Sequence, residues 1–470
     1  MKTYNILNRN AIDEIEKIVG KKNTITENEG FFNYSHDEFA LDEIRHNPEI
    51  VVKPSTTEEV SDVMKIASRE KFPVVARGGA TGLVGGCVPS FGGIVISTER
   101  MNKIIEIDEA NLMVTLQSGS TLRDFYSSIK SKKLFFPPHP GEESATIGGV
   151  ISTNAGGTRA IKYGTIRNFT RYVEAVLADG SIITSGGKVI KDSTGYSLLH
   201  LLIGSEGTLG IITKAVLSVL PEPENMITLI IPYKDIKTCL TGVPSILRSS
   251  VRPLAIEFID KKVIEIAQKY TGKHWPSMQG DIFLLIILEG NKEEIEKHCE
   301  IIANICLDQD AIDVFIADSQ QKQDDILYVR SMVYEALKSE TIEILDVSLP
   351  PDQMATHISS VDNISAKYNV WLPTYGHAGD GNLHTHIMKI TPGGNKITDW
   401  KNIFMEIRNE IIFDGIQRGG KISGEHGIGL IKKQYLEMCL GKTSIEIMKK
   451  IKQVFDPLYI LNPGKIFDPD

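Results

Sequence analysis

The sequence predicts an α+β protein of two or three domains, and three features of the chain support this fold class. Its 470 residues amount to about three domains of roughly 150 residues each. Segments with strand-like patterning alternate with segments of helical spacing, as in domains that pack helices on a sheet. Glycine is concentrated in five short clusters, whereas residues 223–370 contain few glycines. Between these regions, Pro221-Glu222-Pro223 predicts a domain boundary.

The elements before this boundary are predicted from local patterning. Helical spacing covers residues 12–18, and Ser55-Thr56-Thr57-Glu58 has the pattern of a capped helix start. Apolar runs bounded by turn residues predict strands at 73–76, 94–97, 114–117, 173–177, 181–184 and 210–217. The Asp179-Gly180 dipeptide between two of these strands predicts a hairpin turn.

The region after the boundary has a more regular pattern. Strands are predicted at 226–231 and 282–288, and helices at 259–270, 291–306 and 351–368. This alternation is typical of a two-layer α+β domain.

Composition argues against several classes of protein. Apolar residues make up 41% and charged residues 24% of the chain, as in ordinary globular proteins. The net charge is −9, from 51 basic and 60 acidic residues, and a nucleic-acid-binding protein needs a basic face instead. The longest strongly apolar run, Ile282–Leu288, is far shorter than the roughly 20 residues of a membrane span. We therefore expect no nucleic-acid partner and no transmembrane segment.

The five cysteines are scattered and form no CxxC pair; they are Cys87, Cys239, Cys299, Cys306 and Cys439. This pattern predicts reduced thiols, and it favours neither a disulfide framework nor an iron–sulfur or structural zinc site. Residues 1–20 carry mixed charges without the apolar core of a signal peptide. A cytoplasmic location is the resulting expectation.

The glycine clusters have two interpretations on residue chemistry alone. They begin at Gly78, Gly141, Gly204, Gly376 and Gly420. Glycine allows unusual φ angles and close approach, so the clusters fit tight turns of a β protein or a cradle of N–H groups around a phosphate. Neither GxxxxGKS/T nor a GxGxxG after a strand occurs. The sequence therefore supports neither a P-loop nor a nicotinamide-binding Rossmann site.

Three of these clusters resemble the FAD-binding loops of the vanillyl-alcohol-oxidase superfamily of flavoproteins. They correspond to Ala76–Gly86, Pro138–Gly157 and Gly204–Thr213, in the order and spacing of that superfamily. The C-terminal clusters and Leu461-Asn462-Pro463-Gly464-Lys465 are similar to the branch of FAD-linked D-lactate dehydrogenases and glycolate oxidase D subunits. That branch also contains D-2-hydroxyglutarate dehydrogenases. The resemblance covers about residues 46–470.

This resemblance implies a domain organisation. A two-lobed FAD-binding domain of the vanillyl-alcohol-oxidase type is expected at residues 46–222, after an N-terminal helical segment at 1–45. An α+β substrate (cap) domain is expected at 223–418. A C-terminal segment, 419–470, is expected to return to the flavin.

The resemblance also implies a set of FAD-binding residues. The first loop supplies Arg77, Gly78, Gly79, Ala80, Thr81 and Gly82, whose backbone N–H groups would wrap the pyrophosphate. The second supplies Gly141, Ser144, Gly148, Ser152, Asn154 and Gly157 along the isoalloxazine and ribityl chain. Glu206 and Ile212 are expected at the adenosine side, and Gly210 and Asn462 complete the set. Thr81 stands where some relatives carry a histidine that tethers FAD, so non-covalent FAD is expected.

A histidine–carboxylate pattern near the C-terminus contains residue types that can bind a metal. Tyr375–His386 contains His377 and His384, and Ser423–Gly429 contains Glu425 next to His426. Neutral imidazole and carboxylate are suitable ligands for zinc, iron(II) or manganese. Chance clustering of histidines on a surface loop is the alternative that residue chemistry leaves open. The seven-residue separation of the two histidines predicts a loop leading into a strand.

By the resemblance, His377, His384 and Glu425 bind the metal and His426 is the catalytic base. Asn382 and Arg330 fall where the family contacts the substrate, and a guanidinium suits a substrate carboxylate. For Arg330 the alternative is a salt bridge on a helix surface. His386 is expected to be structural.

The implied function is an FAD- and metal-dependent dehydrogenase that oxidises a D-2-hydroxy acid by hydride transfer to flavin N5, with D-lactate to pyruvate as the leading reaction. Electrons would pass to an electron-transfer flavoprotein or another soluble carrier. The alternatives are a D-2-hydroxyglutarate or glycolate dehydrogenase, and a flavin subunit of a larger glycolate oxidase. The Glu425-His426 pair argues against a non-catalytic subunit, an aromatic-alcohol oxidase and an alkyl-dihydroxyacetone-phosphate synthase.

Ile344 decides between the possible substrates in this interpretation. The 2-hydroxyglutarate branch tends to carry a lysine at the corresponding position, where the lysine forms an ion pair with the second carboxylate of the substrate. An apolar side chain would leave that carboxylate unpaired, which costs several kcal/mol when the charge is buried. We therefore expect a small monocarboxylate, with D-lactate first and D-2-hydroxybutyrate or glycolate next.

Overall fold

The computed structural model describes residues 4–317 and 319–469. The chain divides into two compact units. The first unit comprises Met1–Gly156, Thr165–Glu222 and Glu425–Asp470. The second unit comprises Gly157–Gly164 and Pro223–Gly424.

Helices and strands alternate along the chain. The helices are α1 (Arg9–Val19), α2 (Asn28–Phe31), α3 (Thr57–Glu70), α4 (Leu122–Lys130), α5 (Ile147–Thr153), α6 (Ala160–Tyr163), α7 (Ile166–Phe169), α8 (Leu198–Leu202), α9 (Ile236–Thr241), α10 (Val243–Arg248), α11 (Lys261–Thr271), α12 (Lys292–Leu307), α13 (Gln320–Ser331), α14 (Val333–Leu337), α15 (Met354–Tyr368), α16 (Trp400–Gln417), α17 (Leu436–Leu440) and α18 (Lys442–Phe455). The strands are β1 (Thr24–Ile25), β2 (Ile50–Val52), β3 (Val74–Arg77), β4 (Ile94–Ser97), β5 (Ile104–Asp108), β6 (Met113–Gln117), β7 (Leu134–Phe135), β8 (Thr170–Val176), β9 (Ile182–Gly186), β10 (Ile211–Ser218), β11 (Leu220–Pro221), β12 (Asn225–Tyr233), β13 (Ala255–Asp260), β14 (Ile282–Gly290), β15 (Phe315–Ile316), β16 (Thr341–Ser348), β17 (Thr374–His377) and β18 (Asn382–Met388).

The first unit contains two main sheets. The smaller sheet has the order β1-β2-β4-β3, and β4 runs parallel to both β2 and β3. Helices α1 and α3 cover it with apolar side chains such as Ile15, Val60 and Met64. Helix α3 begins after Thr56, whose side chain accepts a hydrogen bond from the N–H of Glu59, so the predicted cap is confirmed.

The larger sheet of the first unit is antiparallel, with the order β5-β6-β10-β8-β9. The hairpin between β8 and β9 turns at Gly180, which has a φ of +85°. This confirms the turn predicted at Asp179-Gly180, because glycine takes a positive φ without steric cost.

The second unit is built on a seven-stranded sheet with the order β15-β12-β14-β13-β17-β18-β16. Its neighbouring strands are antiparallel. One face of the sheet packs against α9, α10, α12 and α15. The other face packs against α11, α13 and α14. Helices therefore cover both faces of the sheet, so the unit has three layers where the sequence predicts two.

The structure differs from the sequence-based expectations in two local details. The helix predicted at 351–368 starts as a 3-10 turn at Pro351–Gln353 before α15 begins. The glycine-rich segment between His377 and His384 is a hairpin turn joining β17 to β18, where a loop leading into one strand is predicted. Both histidines therefore lie on strands and not on a surface loop.

Within the described part of the chain, no helix combines the length and apolar character needed to cross a membrane.

Candidate active site and flavin-binding loops

The sheet of the second unit brings several of the predicted site residues onto one face. In the register of the ladders, His377 lies opposite both Asn382 and Glu257. His384 lies opposite Tyr375 on one side and Asp346 on the other. Because alternate residues of a strand point to the same face, these side chains share the face that packs against α11, α13 and α14.

The imidazole rings of His377 and His384 meet edge to face. Their Nε2 atoms are 3.3 Å apart, the ring centroids are 5.1 Å apart, and the planes are nearly perpendicular at 88°. Both residues are buried. Two nitrogens each about 2.0–2.1 Å from a tetrahedral ion lie about 3.3–3.4 Å apart, so this spacing fits a pair of metal ligands.

A carboxylate lies on the Nδ1 side of each of these two rings. Nδ1 of His377 lies 2.5 Å from Oε1 of Glu257, and Nδ1 of His384 lies 4.0 Å from Oδ1 of Asp346. An ionised carboxylate only accepts hydrogen bonds, so Nδ1 of His377 carries a proton and its Nε2 presents a lone pair to His384. Metal-binding histidines have this arrangement, because a partner at one ring nitrogen fixes the tautomer that coordinates through the other.

Asp346 organises the neighbouring polar groups. Its Oδ1 accepts a hydrogen bond from Nδ2 of Asn382 at 2.7 Å, and its Oδ2 accepts one from Oγ of Ser423 at 2.8 Å. The N–H of Gly424 donates to the Asp346 carbonyl oxygen at 3.1 Å. A Cβ on Gly424 would lie 2.4 Å from Nδ2 of Asn382, so glycine is needed there.

Arg330 forms a buried ion pair. Its Nε and Nη2 both donate to Oε2 of Glu257, at 3.0 and 2.5 Å, and its guanidinium lies 5.0 Å from the centre of the Tyr375 ring. Among the described residues, its Nη1 has no hydrogen-bond partner. The surface salt bridge that the sequence left open is therefore a buried pair in this face of the sheet.

Glu257 is a site residue that the sequence analysis missed. Burial alone would raise the pKa of this carboxyl, but its interactions with His377 and Arg330 outweigh the burial and hold the pKa below its usual range. The available signal was an acidic residue at the centre of the apolar strand segment Ala255–Asp260. A buried carboxylate in such a strand requires a paired cation or donor.

Two further histidines of the glycine-rich motifs, His386 and His139, contact side chains of their own units. His386 contacts the Tyr375 hydroxyl through Nε2 at 3.0 Å and the Thr341 hydroxyl through Nδ1 at 2.9 Å. Ile344 lies directly opposite His386 in the β16–β18 ladder and is buried. In the first unit, His139 stacks on Tyr126 with 5.6 Å between ring centroids.

Two of the glycine loops in the first unit pack against each other. A Cβ on Gly78 would lie 2.1 Å from Oγ1 of Thr146, and one on Gly79 would lie 2.7 Å from the carbonyl oxygen of Ser144. Close approach of the Thr146 side chain and the Ser144 backbone therefore explains these two glycines. Ala80, the next residue, has a φ of +57°, a left-handed conformation that only a few per cent of non-glycine residues adopt.

These loops leave hydrogen-bonding groups available. The backbone N–H groups of residues 78–82 donate to no residue that the structure describes. Four buried side-chain oxygens of the first unit also lack a partner among the described residues; they are Ser118 Oγ, Ser120 Oγ, Thr146 Oγ1 and Asn462 Oδ1. Buried polar groups are nearly always paired in a native protein. The open groups therefore fit a polar ligand with a pyrophosphate, as FAD has.

Two residues expected to bind FAD use their polar groups within the protein. Arg77 donates to the carbonyl oxygens of Asn33 and His36, at 2.5 and 2.7 Å, and so holds the N-terminal segment. The carboxylate of Glu206 accepts from the N–H groups of Ile428 and Gly429 at 2.7 and 2.8 Å. Glu206 thus positions the loop that follows Glu425 and His426.

The remaining predicted residues of the first unit lie in or beside the second and third glycine motifs. Gly148 is in α5, where a Cβ would lie 2.7 Å from Cβ of Ser118. Asn154 caps α5 with a φ of +53°, and its Oδ1 accepts from the Thr165 hydroxyl at 2.9 Å. A Cβ on Gly156 would lie 3.1 Å from Oε2 of Glu425, so this carboxylate lies beside the second motif.

The other predicted FAD contacts lie in or next to strand β10 or in the second glycine motif. The carbonyl oxygen of Ser152 accepts from the N–H of Glu206 at 2.8 Å. Ile212 lies in β10 opposite Ala175, and Gly210 directly precedes that strand. Gly141 has open space around the position of a Cβ. Gly157, with a φ of +123°, begins the short segment of the second unit that precedes α6.

Comparisons with known proteins agree with this architecture. Residues 48–186 match the family described as FAD binding domain, and residues 222–466 match the family described as FAD linked oxidases, C-terminal domain. The D-lactate dehydrogenase of Archaeoglobus fulgidus is 45% identical over 89% of this chain and 91% of its own length. The glycolate oxidase subunit GlcD of Bacillus subtilis is 37% identical over 99% of this chain and 98% of its own length.

Solved structures show the same fold at low identity. A p-cresol methylhydroxylase with bound substrate is 18% identical, with a TM-score of 0.79 over 98% of this chain and 96% of its own. This likeness supports the fold alone. Together with the family matches, it confirms the predicted vanillyl-alcohol-oxidase type FAD-binding domain joined to a second α+β domain.

Proposed function

The chain belongs to the FAD-linked oxidase family, and we propose that it is a metal-dependent dehydrogenase of D-2-hydroxy acids, with D-lactate as its leading substrate. The observation that carries this proposal is the pair of Nε2 atoms of His377 and His384, 3.3 Å apart. With the Nδ1 of His377 facing a carboxylate, its free nitrogen lone pair is directed at the other ring. A divalent ion would bind both nitrogens in place of the hydrogen bond that joins the two rings.

In this proposal His377, His384 and Glu425 hold the ion. Glu425 is the residue after Gly424, whose N–H donates to the Asp346 carbonyl oxygen. When bound, the ion supplies a Lewis acid for the substrate oxygens and FAD supplies the two-electron acceptor. The nitrogen and oxygen ligands are compatible with zinc, iron(II) or manganese.

The protein's own groups have separate tasks. Arg330 binds the substrate carboxylate through Nη1, since its Nε and Nη2 are engaged by Glu257. Asn382, fixed by Asp346, contacts the substrate from the neighbouring strand. His426 accepts the hydroxyl proton, because a neutral imidazole is a suitable base near pH 7.

The preference for a small monocarboxylate is supported by Ile344. This residue is buried on the face of the sheet that carries the histidines, opposite His386. A second substrate carboxylate placed against it would lose its hydration without gaining a partner. D-lactate is therefore expected to be preferred to D-2-hydroxyglutarate.

The proposal extends to the electron acceptor and the location. We propose an electron-transfer flavoprotein or another soluble carrier as the partner, and a cytoplasmic location, which the five free cysteines support. Turnover of the isolated protein with an artificial dye, but not with NAD, is the expected result. Direct reduction of NAD by the isolated protein would contradict this part of the proposal.

The central experiment is anaerobic flavin bleaching. Adding D-lactate to the FAD-loaded protein without oxygen is expected to bleach the flavin absorbance, while L-lactate leaves it unchanged. Comparison of kcat/KM for D-lactate, glycolate and D-2-hydroxyglutarate then ranks the substrates. Failure of every 2-hydroxy acid to bleach the flavin would refute the proposed reaction.

A further inference from the structure

Glu257 contacts two of the proposed site residues of the second unit, His377 and Arg330. It lies at the centre of β13 and is 1% exposed. One of its oxygens faces Nδ1 of His377, and the other accepts from two nitrogens of Arg330. These two partners belong to different elements, β17 and α13, and the proposed function gives them different ligands.

We infer that Glu257 is a positioning residue that couples metal binding at His377 to substrate-carboxylate binding at Arg330. This inference rests on the proposed function, and it assigns a role to a residue that contacts neither the metal nor the substrate. One carboxylate keeps the proton on Nδ1 of His377, so that Nε2 remains a metal ligand. The same carboxylate directs the guanidinium so that Nη1 stays available.

The physical basis of the coupling is that both oxygens of a carboxylate accept hydrogen bonds. An amide has one accepting oxygen and one donating nitrogen, so glutamine at this position satisfies either His377 or Arg330, but not both. If its nitrogen faces the histidine, the ring takes the other tautomer and loses the lone pair that binds the metal. If its nitrogen faces Arg330, two donors oppose each other and the guanidinium shifts.

The chain offers a matched control for this substitution. Glu343 is a second buried carboxylate of the same unit, and its Oε2 lies 3.3 Å from Nε of Arg408. It is 3% exposed and lies on β16, a strand of the same sheet. Glu343 alternates with Ile344, so its side chain is on the opposite face from the histidines. Replacing it perturbs a buried ion pair without touching His377 or Arg330.

The experiment compares Glu257→Gln with Glu343→Gln in the FAD-loaded full chain. Metal affinity is measured by titrating the metal-stripped proteins with zinc, and KM and kcat for D-lactate are measured at saturating metal. We expect Glu257→Gln to bind zinc about tenfold or more weakly, in the range found for partners of metal ligands. We also expect its KM to rise at saturating metal, because bound metal selects the orientation in which the glutamine nitrogen opposes Arg330, while Glu343→Gln keeps both values.

Each outcome decides the inference. Loss of metal affinity with an unchanged KM would show that Glu257 acts on His377 alone, and it would overturn the coupling. Unchanged metal affinity in Glu257→Gln would also overturn it. If Glu257→Gln does not fold, Glu257→Asp is used instead. Its shorter side chain keeps the charge but cannot reach both His377 and Arg330, so weaker zinc binding and a higher KM are expected for this variant too. Failure of the wild-type protein to bind any of zinc, iron(II) and manganese, or to be reduced by any 2-hydroxy acid, would instead refute the proposed function.

Discussion

At the scale of single residues, the chemistry depends on which nitrogen of each histidine carries a proton. His377 and His386 lie on neighbouring strands and are both buried, yet their surroundings differ. His377 has a carboxylate at one nitrogen and an imidazole at the other. His386 has a hydroxyl at each nitrogen, from Thr341 and Tyr375. Only the first arrangement leaves a lone pair directed at another potential ligand.

The first prediction concerns metal content. His377→Ala is expected to reduce bound metal from about one ion per chain to a trace and to abolish turnover, because one of the proposed ligands is removed. The control is His386→Gln, which changes a histidine of the same sheet face and should retain the ion. Elemental analysis of the purified proteins provides the measurement, and a His377→Ala protein with full metal content would refute the assignment.

The second prediction concerns the base. His426→Ala is expected to retain FAD and metal but to lower kcat by about 10²–10⁴-fold, the usual contribution of a general base. The flavin absorbance spectrum reports cofactor retention, and stopped-flow reduction by D-lactate reports the reaction. Undiminished flavin reduction in this variant would assign the proton transfer to another group.

The third prediction concerns specificity at Ile344. Ile344→Lys is expected to shift the ratio of kcat/KM for D-2-hydroxyglutarate over D-lactate by at least about tenfold towards the diacid, since a charge-assisted bond to the distal carboxylate is worth about 1.5–3 kcal/mol. Ile344→Leu keeps the apolar surface and serves as the control. A wild-type preference for the diacid would show that Ile344 does not set the specificity.

At the scale of elements, α15 and α16 are joined by a polar contact between buried surfaces. Asp414 of α16 lies 2.6 Å from Nδ1 of the fully buried His357 of α15, and it accepts two hydrogen bonds from Arg418. Burial alone would raise the pKa of Asp414, but the hydrogen bonds from His357 and Arg418 outweigh it and place the pKa well below its usual range. The carboxylate form therefore stabilises this helix pair.

The fourth prediction follows from that shift and its sign. Because the pKa of Asp414 is lower in the folded than in the unfolded chain, its contribution is fully present above the unfolded value of about 3.9 and is lost progressively as the pH falls from there through the lower folded pKa. Asp414→Asn is expected to lower the unfolding free energy at pH 7 by about 1–3 kcal/mol. The difference from wild type should shrink towards pH 3.

Urea unfolding followed at several pH values tests this prediction. The matched control is Glu410→Gln on the same helix, because Glu410 pairs with the largely exposed Lys367. Exposed ion pairs contribute about 0–1 kcal/mol, so the control should stay near wild type. A loss in Asp414→Asn that is independent of pH would show that the carboxylate charge is not what stabilises the contact.

At the scale of the whole molecule, the cofactor is expected to contribute to stability. The first unit presents open N–H groups at residues 78–82 and four unpaired buried oxygens among its described residues. A ligand that satisfies these groups binds the folded state and not the unfolded chain, so it raises the unfolding temperature by an amount that grows with the logarithm of its concentration above Kd. Removal of FAD is therefore expected to lower the thermal midpoint, and added FAD to restore it.

The fifth prediction is that FAD is released on denaturation. Thr81 has no imidazole that could form a covalent link to the flavin. Acid precipitation is therefore expected to leave the yellow colour in the supernatant and a colourless pellet. A yellow pellet that survives washing in denaturant would demonstrate a covalent link and contradict the expectation.

Much of this protein followed from the sequence because the decisive signals are local. The cap at Thr56, the turn at Gly180 and the strand at 282–288 depend on neighbours within a few residues. The glycine motifs are contiguous, so a family resemblance could be recognised from them. His377 and His384 are only seven residues apart, and their pairing required no knowledge of distant segments.

The tertiary structure decided what joins these segments. Glu257 is 73 residues from Arg330 and 120 from His377, and it meets both because the sheet order places β13 beside β17 and α13 packs on the same face. Glu206 is 222 residues from Ile428 in the sequence. Its hydrogen bond to the loop that contains Ile428 could likewise not be predicted from local sequence patterns. Strand order and register set such contacts through packing of the whole domain, and no local pattern of residues encodes them.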